Sequence, residues 1–211
     1  MTAQPARAAG LVLLRQSGPG PTDEIEVLLG RRHRRSRFMP NVYVFPGGRV
    51  DAADDQPSGF AEDLPVPPGA PDLSERKLAV YARAALRETF EETGLLVGQI
   101  DMIEAAQPTS GIWAAYARAG LTPAFAALDL IAHAITPTDY PIRFDTYFFA
   151  ADGALAHGVL AGDGELEDIG WVPVGSAPTL PMAKVTRLIL RETLSRRSGA
   201  RESGDLATFN V

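Results

Sequence analysis

The sequence of 211 residues contains no cysteine. This absence excludes disulfide bonds, zinc sites made of thiolates and catalysis by a cysteine nucleophile, and it fits a reducing compartment. Long apolar runs are also missing, because the run after Arg7 stops at Arg15 and is too short for a membrane span or a secretory signal. The sequence therefore predicts a cytoplasmic protein with no membrane partner.

An excess of basic residues is lacking as well. The chain has 20 Lys and Arg against 26 Asp and Glu, which gives a formal net charge of -6. General nucleic-acid binding requires a dominant basic field, so no nucleic-acid partner is expected. The 45% of hydrophobic and 22% of charged residues are typical of a soluble globular protein, and the length favours one domain.

The order of apolar runs and turn-forming residues predicts a mixture of strands and helices. A long helix is expected between Asp72, as a capping residue with Glu75 in a capping box, and Gly94 as the terminating glycine. A second amphipathic helix covers residues 182–197. The predicted strands are 10–14, 24–30, 41–50, 131–136, 143–151 and 168–174.

We predict an α/β fold, a layered α/β/α domain over residues 1–196, because hairpin strands and separated helices occur together. Residues 55–71 are rich in Pro, Gly, Asp and Ala, which is typical of an inserted surface loop. Residues 197–211 are interpreted as a polar C-terminal tail.

The stretch "RAALRETFEETGL" carries Glu88, Glu91 and Glu92 near the end of the long helix. With Glu88 at 0° on the helical wheel, Glu92 lies at about 40° and Glu91 at about 300°, so the three share one face. Their repulsion amounts to a few tenths of a kcal/mol per pair. Taken alone, the stretch allows a solvated helix face, the more common case, or carboxylates that bind Mg²⁺ or Mn²⁺.

Two segments together, "FPGGRVDAAD" and "RETFEETGL", resemble the signature of Nudix hydrolases, G-x5-E-x7-R-E-U-x-E-E-x-G-U, where U is a bulky aliphatic residue. The first segment supplies the opening glycine and, six residues later, an acid. The matching residues are Gly48, Asp54, Arg87, Glu88, Glu91, Glu92, Gly94 and Leu95.

The chain departs from this signature at three points. Asp54 replaces the usual Glu, and Thr89 occupies a usually aliphatic position. In addition, 32 residues separate Asp54 from Arg87 where the signature has seven, which leaves an insertion of 25 residues. This insertion corresponds to the Pro- and Gly-rich loop.

The resemblance implies a Nudix-type α/β/α sandwich with a mixed central sheet and a long catalytic helix. It implies hydrolysis of a pyrophosphate bond in a nucleoside diphosphate linked to a second group, with Mg²⁺ or Mn²⁺ as cofactor. The implied metal ligands are Glu88, Glu91 and Glu92. Arg87 would orient these glutamates, and the backbone at Gly47 and Gly48 would bend close to the helix and the metal.

The general base has three candidates, since Nudix enzymes use either a helix glutamate or an acid on a later loop. Glu88 is the helix candidate, and Glu165 and Glu167 in "GELEDIGW" are the loop candidates. The two loop residues could equally be solvated. The predicted catalytic set is Glu88, Arg87, Glu92 and Glu167.

Two arginine-containing stretches could receive substrate phosphates, because guanidinium groups match phosphate oxygens. They are the arginine cluster "RRHRRSR" at residues 31–37 and the stretch "RFDT". From these stretches we predict substrate contacts by Arg32 and Arg143. A solvated basic loop is the alternative for the cluster, and a pair with Asp145 is the alternative for Arg143.

The region from about residue 8 to 175 resembles the coenzyme A diphosphatase-like branch with an interrupted Nudix box, through its arginine cluster, its split signature with the long insertion, and the later stretch "PIRFDTYFF". That branch implies cleavage of coenzyme A or acyl-coenzyme A to 3',5'-ADP and (acyl-)phosphopantetheine. The alternatives are a diphosphatase for ADP-ribose, a dinucleotide or a nucleotide sugar, or a non-catalytic Nudix-fold regulator that binds a metabolite. The expected partner is a small nucleotide-derived substrate, and a homodimer is an expectation of the family alone.

Overall fold

The structure is a computed structural model, and it describes residues 4–18, 24–67, 73–100, 111–200 and 206–211. Its helices are α1 (Glu75–Thr93), α2 (Gly111–Ala119) and α3 (Lys184–Arg197). Its strands are β1 (Ala6–Gln16), β2 (Ile25–Arg32), β3 (Tyr43–Val44), β4 (Gly47–Arg49), β5 (Leu95–Ile100), β6 (Leu121–Pro123), β7 (Asp129–Ile135), β8 (Phe144–Asp152), β9 (Ala156–Gly158), β10 (Leu166–Pro173) and β11 (Ala207–Asn210).

The central sheet is mixed. Its strand order is β10-β2-β1-β8-β7-β11, with β3 added beside β2 and β4 beside β1. The β1–β8 and β7–β11 pairs are parallel, and the other pairs are antiparallel. A smaller sheet has the order β6-β5-β9.

Strand β1 shows why this sheet lies between two helical layers. Its residues alternate between the two faces, as side chains on a strand do. Leu11 and Leu13 enter a buried cluster with residues of α1, and Val12 and Leu14 enter a second cluster with residues of α3. The predicted α/β/α sandwich is confirmed, and the unbroken apolar run of β1 follows from its burial on both faces.

Helix α1 begins and ends at residues with clear capping roles. The Ser74 hydroxyl accepts a hydrogen bond from Lys77 N–H (3.3 Å), so the structure assigns the N-cap to Ser74. Asp72, the expected cap, lies outside the described residues. Gly94 ends the helix as predicted, with φ of 75° and its N–H bonded to the Phe90 carbonyl. In the described part of the chain, no helix combines the length and apolar character needed to cross a membrane.

The described half of the insertion is a loop that is anchored to the core at a few residues. Residues 52–55 form a 3₁₀ turn, and the chain from 56 to 67 has no regular structure. Ser58 is nevertheless only 2% exposed, and Leu64 packs against the core cluster below α1. Residues 68–71 lie outside the described part. The described half of the insertion is therefore an irregular segment with most of its residues exposed, and it is anchored to the core at Ser58 and Leu64.

The predicted C-terminal tail also contains a structured segment. Strand β11 pairs in parallel with β7, from Ala207 opposite Ala132 to Asn210 opposite Ile135. Ala207 is buried in the α3-side cluster. The last residues therefore form an edge strand of the central sheet, and the interpretation of 207–210 as a tail outside the domain is wrong.

Candidate active site

The first half of the split signature is a short strand followed by a tight turn. Strand β4 is held antiparallel to β1, with Gly47 opposite Gly10. The turn after it has a capping box, in which Asp51 Oδ1 accepts from Ala53 N–H (2.9 Å) and Asp54 Oδ2 accepts from Asp51 N–H (2.8 Å). This turn directs the Asp54 carboxylate inward, where the residue is 2% exposed.

The second half meets the first through Arg87. Arg87 Nε donates to Asp54 Oδ1 (3.0 Å) and Nη2 donates to Asp54 Oδ2 (2.8 Å), which is a bidentate pair. Nη2 also donates to the Arg49 carbonyl (2.8 Å). Although 32 residues lie between Asp54 and Arg87, the two halves of the signature are therefore joined in space.

Arg87 also holds the glutamates of its own helix. Its Nη1 donates to Glu88 Oε1 (2.9 Å) and to Glu91 Oε2 (2.8 Å). Burial alone would lower the pKa of Arg87, but the hydrogen bonds to Asp54 and the charge of Glu88 raise it above the ordinary value. The orienting role expected of Arg87 thus has a geometric basis.

Glu92 is the most buried of the three glutamates, at 2% exposure. Its Oε2 accepts a hydrogen bond from Gly47 N–H (2.8 Å), which ties the helix to β4. A Cβ at position 47 would lie 2.4 Å from the Ala9 carbonyl oxygen, so the backbone leaves no room for a side chain there, and a Cβ at position 48 would displace the Glu88 carboxylate, 2.5 Å away. Both expected glycines therefore serve the packing of α1 on β4.

Glu165 stands opposite these helix residues on the loop before β10. The loop is bound to the end of α1, because Ala161 N–H donates to the Thr93 carbonyl (3.0 Å) and Asp163 N–H to the Glu91 carbonyl (3.3 Å). Asp163 Oδ1 in turn accepts from Glu165 N–H (2.9 Å). The last carbonyl groups of a helix lack partners within it, and this loop satisfies two of them while it positions Glu165.

The carboxylates of Glu88, Glu92 and Glu165 repel one another. Burial raises the pKa of Glu92 to about 8. The hydrogen bond from Gly47 opposes this rise, and the charges of Glu88 and Glu165 add to it. Burial also raises the pKa of Glu88, against the effect of Arg87. The site therefore concentrates more carboxylates than its arginine partners neutralise.

The donor chemistry of this cluster fits a divalent cation. Carboxylate oxygens are the ligands that Mg²⁺ and Mn²⁺ prefer, and a cation would favour the ionised forms of Glu88 and Glu92. Across the described ranges, no group of three or more His, Asp or Glu side chains is already arranged to hold a metal ion. Arg87 binds one carboxylate oxygen of Glu88 and one of Glu91, and metal ligation by the three helix glutamates stays a prediction.

Two vertebrate proteins named acyl-coenzyme A diphosphatase NUDT19 are similar to the chain in sequence. The Gallus gallus protein is 34% identical over 122 residues, which cover 43% of this chain and 32% of that protein. The Xenopus laevis protein is 32% identical over 99 residues, which cover 36% of this chain and 26% of that protein. The matched segment thus spans less than a third of the length of these relatives.

No protein-family model matches the chain. The structure of a NUDIX hydrolase from Alicyclobacillus acidocaldarius superimposes with a TM-score of 0.68 and 28% sequence identity, and the match covers 90% of this chain and 91% of that one. The chain has the fold of this NUDIX hydrolase. The expected resemblance to the coenzyme A diphosphatase-like branch is confirmed in sequence by the vertebrate relatives.

The Nudix signature lies at the edge of a cavity of about 730 Å³. Its lining contains the charged residues Arg32, Arg37, Arg49, Glu88 and Glu165. It also contains apolar residues, among them Phe38, Met39, Ile142, Phe144, Phe148 and Val185. The Phe38 and Phe144 rings meet edge to face with centroids 5.0 Å apart, and the Arg49 guanidinium lies 5.6 Å from the Phe144 centroid. The cavity thus presents cationic and aromatic surfaces beside the Nudix glutamates.

The two predicted phosphate-binding arginines differ in position. Arg32 lines the cavity, and its guanidinium donates to Ser36 Oγ and to the Phe38 carbonyl (3.0 Å), so it also shapes the arginine loop. Arg143 Nε donates to the Thr136 carbonyl (3.0 Å), and Arg143 is not among the lining residues. Asp145, its alternative partner, pairs with His133 (2.5 Å).

Glu167, the predicted loop base, is not brought together with the helix glutamates. Its carboxylate pairs with Arg31 (2.8 Å) and lies 3.5 Å from His33. Glu165 is the residue of this segment that lines the cavity. The sequence offered both residues, and only the contacts of the loop with α1 separate them. Arg49 was missed, although its place directly after Gly48 was a usable signal.

Proposed function

We propose that this protein hydrolyses the pyrophosphate bond of a nucleoside diphosphate linked to a second group, with Mg²⁺ or Mn²⁺, and that coenzyme A or an acyl-coenzyme A is its substrate class. One observation carries the reaction: the bidentate Asp54–Arg87 pair rejoins the split signature beside a cavity that contains arginines. A regulator that only binds a metabolite would not need this density of buried carboxylates.

The residues of the chain supply the positioning that phosphoryl transfer requires. Arg37 and Arg49 bind the phosphate oxygens from the cavity wall, and Arg87 keeps the helix glutamates on the side of β4. Glu165 accepts a proton from the water whose oxygen attacks one phosphorus. The bond from this phosphorus to the bridging oxygen then breaks, and the bridging oxygen leaves with the second phosphate.

A divalent cation at Glu88, Glu91 and Glu92 would supply neutralisation of the negative charge on the pyrophosphate oxygens. The raised pKa values of Glu88 and Glu92 support such a site, since the carboxylate cluster lacks sufficient positive charge of its own.

The substrate class is supported by the relatives and by the cavity. The two vertebrate relatives bear the name acyl-coenzyme A diphosphatase. Coenzyme A combines an adenine nucleotide with three phosphates, and the cavity offers three arginines, Arg32, Arg37 and Arg49, close to the aromatic rings of Phe38 and Phe144. The expected products are 3',5'-ADP and (acyl-)phosphopantetheine.

A panel of substrates with Mg²⁺ or Mn²⁺ tests this proposal. The panel contains coenzyme A, an acyl-coenzyme A, ADP-ribose, NADH, a diadenosine polyphosphate and a nucleoside triphosphate, with products identified by mass. Preferred cleavage of the coenzyme A compounds is expected. Preference for ADP-ribose, NADH or a dinucleotide would reject the substrate class, and absence of turnover with every compound would reject the enzymatic reaction in favour of a binding protein.

Glu165→Gln and Glu167→Gln form a matched pair for the proposed base. Glu165→Gln is expected to lower kcat by about 100-fold, which is typical for loss of a general base. Glu167→Gln is expected to change kcat by less than about twofold, because its carboxylate binds Arg31 away from the cavity. A large loss of kcat in Glu167→Gln with little change in Glu165→Gln would identify Glu167 as the general base.

A further inference from the structure

The long insertion creates a positioning problem for the Nudix signature. A short tether keeps the first acid close to the arginine of the helix, whereas a long flexible tether makes their meeting entropically more costly. Here 32 residues connect Asp54 to Arg87, yet Asp54 is buried and held in a bidentate pair. Other contacts must therefore fix the turn that carries Asp54.

Arg83 supplies a contact to this turn from α1, one helical turn before Arg87. Its Nη1 donates a short hydrogen bond (2.5 Å) to the main-chain carbonyl of Asp54. The residue is only 5% exposed, so its guanidinium group is removed from water and requires full pairing. The same Asp54 is thus held twice, by Arg83 at its carbonyl and by Arg87 at its carboxylate.

The rest of the Arg83 guanidinium binds the insertion. Nε donates to Glu62 Oε1 (2.8 Å) and Nη2 donates to Glu62 Oε2 (2.7 Å), so the fork is satisfied by one carboxylate. Glu62 Oε1 also accepts from Ser58 N–H (2.9 Å). The hydrogen bonds from Arg83 and Ser58 outweigh burial and hold the pKa of Glu62 below its ordinary value. Glu62 is therefore a charged partner that the insertion itself provides.

Apolar contacts bring the same part of the insertion onto the helices. Leu64 packs against the cluster below α1, and the Phe60 ring meets Tyr116 of α2 edge to face at 6.3 Å. These contacts explain docking of the insertion. They do not explain why a buried arginine joins Glu62 to the carbonyl of Asp54.

We propose that Glu62 and Arg83 form a latch through which the insertion positions Asp54, and through Asp54 the signature arginine Arg87. In the latch, Glu62 orients the Arg83 guanidinium so that Nη1 reaches the Asp54 carbonyl. The insertion is then a working part of the active site, and both latch residues are positioning residues. Their effect on turnover rests on the proposed function, while their effect on the Asp51–Asp55 turn does not.

Four purified variants of the whole chain test the latch. Glu62→Gln removes the charge of the insertion partner, and Arg83→Lys removes the fork while it keeps a cation. Asp63→Asn and Arg76→Lys are the matched controls, because they change neighbouring exposed residues on the insertion and on α1 in the same ways. The measurements are kcat and KM on the best substrate of the wild type, thermal unfolding, and hydrogen exchange of the amides at positions 54 and 56.

Loss of an outer partner of an active-site group typically lowers activity by 10- to 100-fold, so we expect both latch variants to lower kcat about tenfold with a smaller change in KM. The amides of Asp54 and Gln56, which bond to carbonyls within the turn, should exchange faster in both variants. The two controls should match the wild type. The combination Glu62→Gln with Asp54→Asn should lower kcat less than the product of the two single effects, because both act through the pairing of Asp54 with Arg87.

Folded latch variants with wild-type kcat and unchanged exchange of the turn would overturn the proposal. Fully multiplicative losses in the double variant would overturn it as well. If the wild type turns over no compound, the proposed reaction fails, and hydrogen exchange alone then decides the latch: faster exchange of the turn supports it and unchanged exchange rejects it.

Discussion

Arg83 and Arg87 stand one turn apart on α1, and both bind the turn at Asp51–Asp55 across the site. Arg87 binds the carboxylate of Asp54 and two glutamates of its own helix. Arg83 binds the carbonyl of Asp54 and a glutamate of the insertion. Both arginines make a bidentate fork, Arg87 with Asp54 of the turn and Arg83 with Glu62 of the insertion, but Arg87 belongs to the Nudix signature and Arg83 does not.

The difference between them shows how a split signature can retain its geometry. Arg87 binds the signature glutamates Glu88 and Glu91. Arg83 instead connects the turn at Asp54 to the insertion, a segment that the usual signature lacks. The side chain of Arg83 is 6% exposed and that of Arg87 is 14% exposed, so both depend on complete pairing. Three experiments separate their roles.

The largest effect is expected for Arg87→Lys. An ammonium group cannot reproduce the fork to Asp54 while it also binds Glu88 and Glu91. We expect kcat to fall by about 100-fold, at the upper end for an outer-partner substitution. Steady-state kinetics at saturating substrate measures kcat for Arg87→Lys and for Arg83→Lys. The loss expected for Arg83→Lys is smaller. Equal losses for the two lysine variants would remove the distinction between signature arginine and latch arginine.

The contacts of Arg87 with Glu88 and Glu91 could be anticipated from the sequence because these residues belong to a pattern with fixed spacing inside one helix. Gly48, Asp54 and the helix glutamates could be assigned by counting residues, and Gly94 by its place after the apolar stripe. Arg83 could not be assigned in this way, since its partner Glu62 lies in an irregular loop whose path depends on contacts with α1 and α2. Nonlocal contacts of this kind leave no periodic signal.

The same limit explains the other differences. Glu165 and Glu167 have equal chemistry and neighbouring positions, and hydrogen bonds between the 161–163 loop and the end of α1 decide which one faces the cavity. Strand β11 is short and lies at a sheet edge, so its pairing with β7 had no counterpart in the local pattern. The layers of the fold were predictable because the alternation along β1 and the stripe on α1 are local.

Exchange of the charges at positions 62 and 83 has a smaller expected effect. It separates the contribution of the Glu62–Arg83 ion pair from that of the hydrogen bond between Arg83 and the Asp54 carbonyl. Glu62→Arg and Arg83→Glu should each lower the free energy of unfolding by about 2 kcal/mol, since each removes the hydrogen bonds of the fork and places two like charges opposite one another. The double exchange restores an ion pair, and we expect about half of this loss to be recovered. Chemical unfolding of the two single variants and the double variant provides the free energies.

In the double variant, kcat should not recover together with the free energy of unfolding. A glutamate at position 83 cannot donate to the Asp54 carbonyl, so kcat of the double variant should stay about tenfold below the wild type. Recovery of wild-type kcat together with stability would mean that the Glu62–Arg83 charge pair is sufficient and that the bond to the Asp54 carbonyl is dispensable.

The smallest effect is the dependence of the latch on pH. Because the pKa of Glu62 is lower in the folded protein than its ordinary value, ionised Glu62 contributes stability above the ordinary glutamate pKa, and this contribution is lost as the pH falls through the folded value. Its size should stay below about 1 kcal/mol, since Glu62 is partly exposed to solvent. Urea unfolding of the wild type and Glu62→Gln between neutral and acid pH measures it. The difference in unfolding free energy between the wild type and Glu62→Gln should narrow on acidification, and Asp63→Asn should follow the wild type. A difference that stays constant or widens would show that ionised Glu62 is not what holds Arg83.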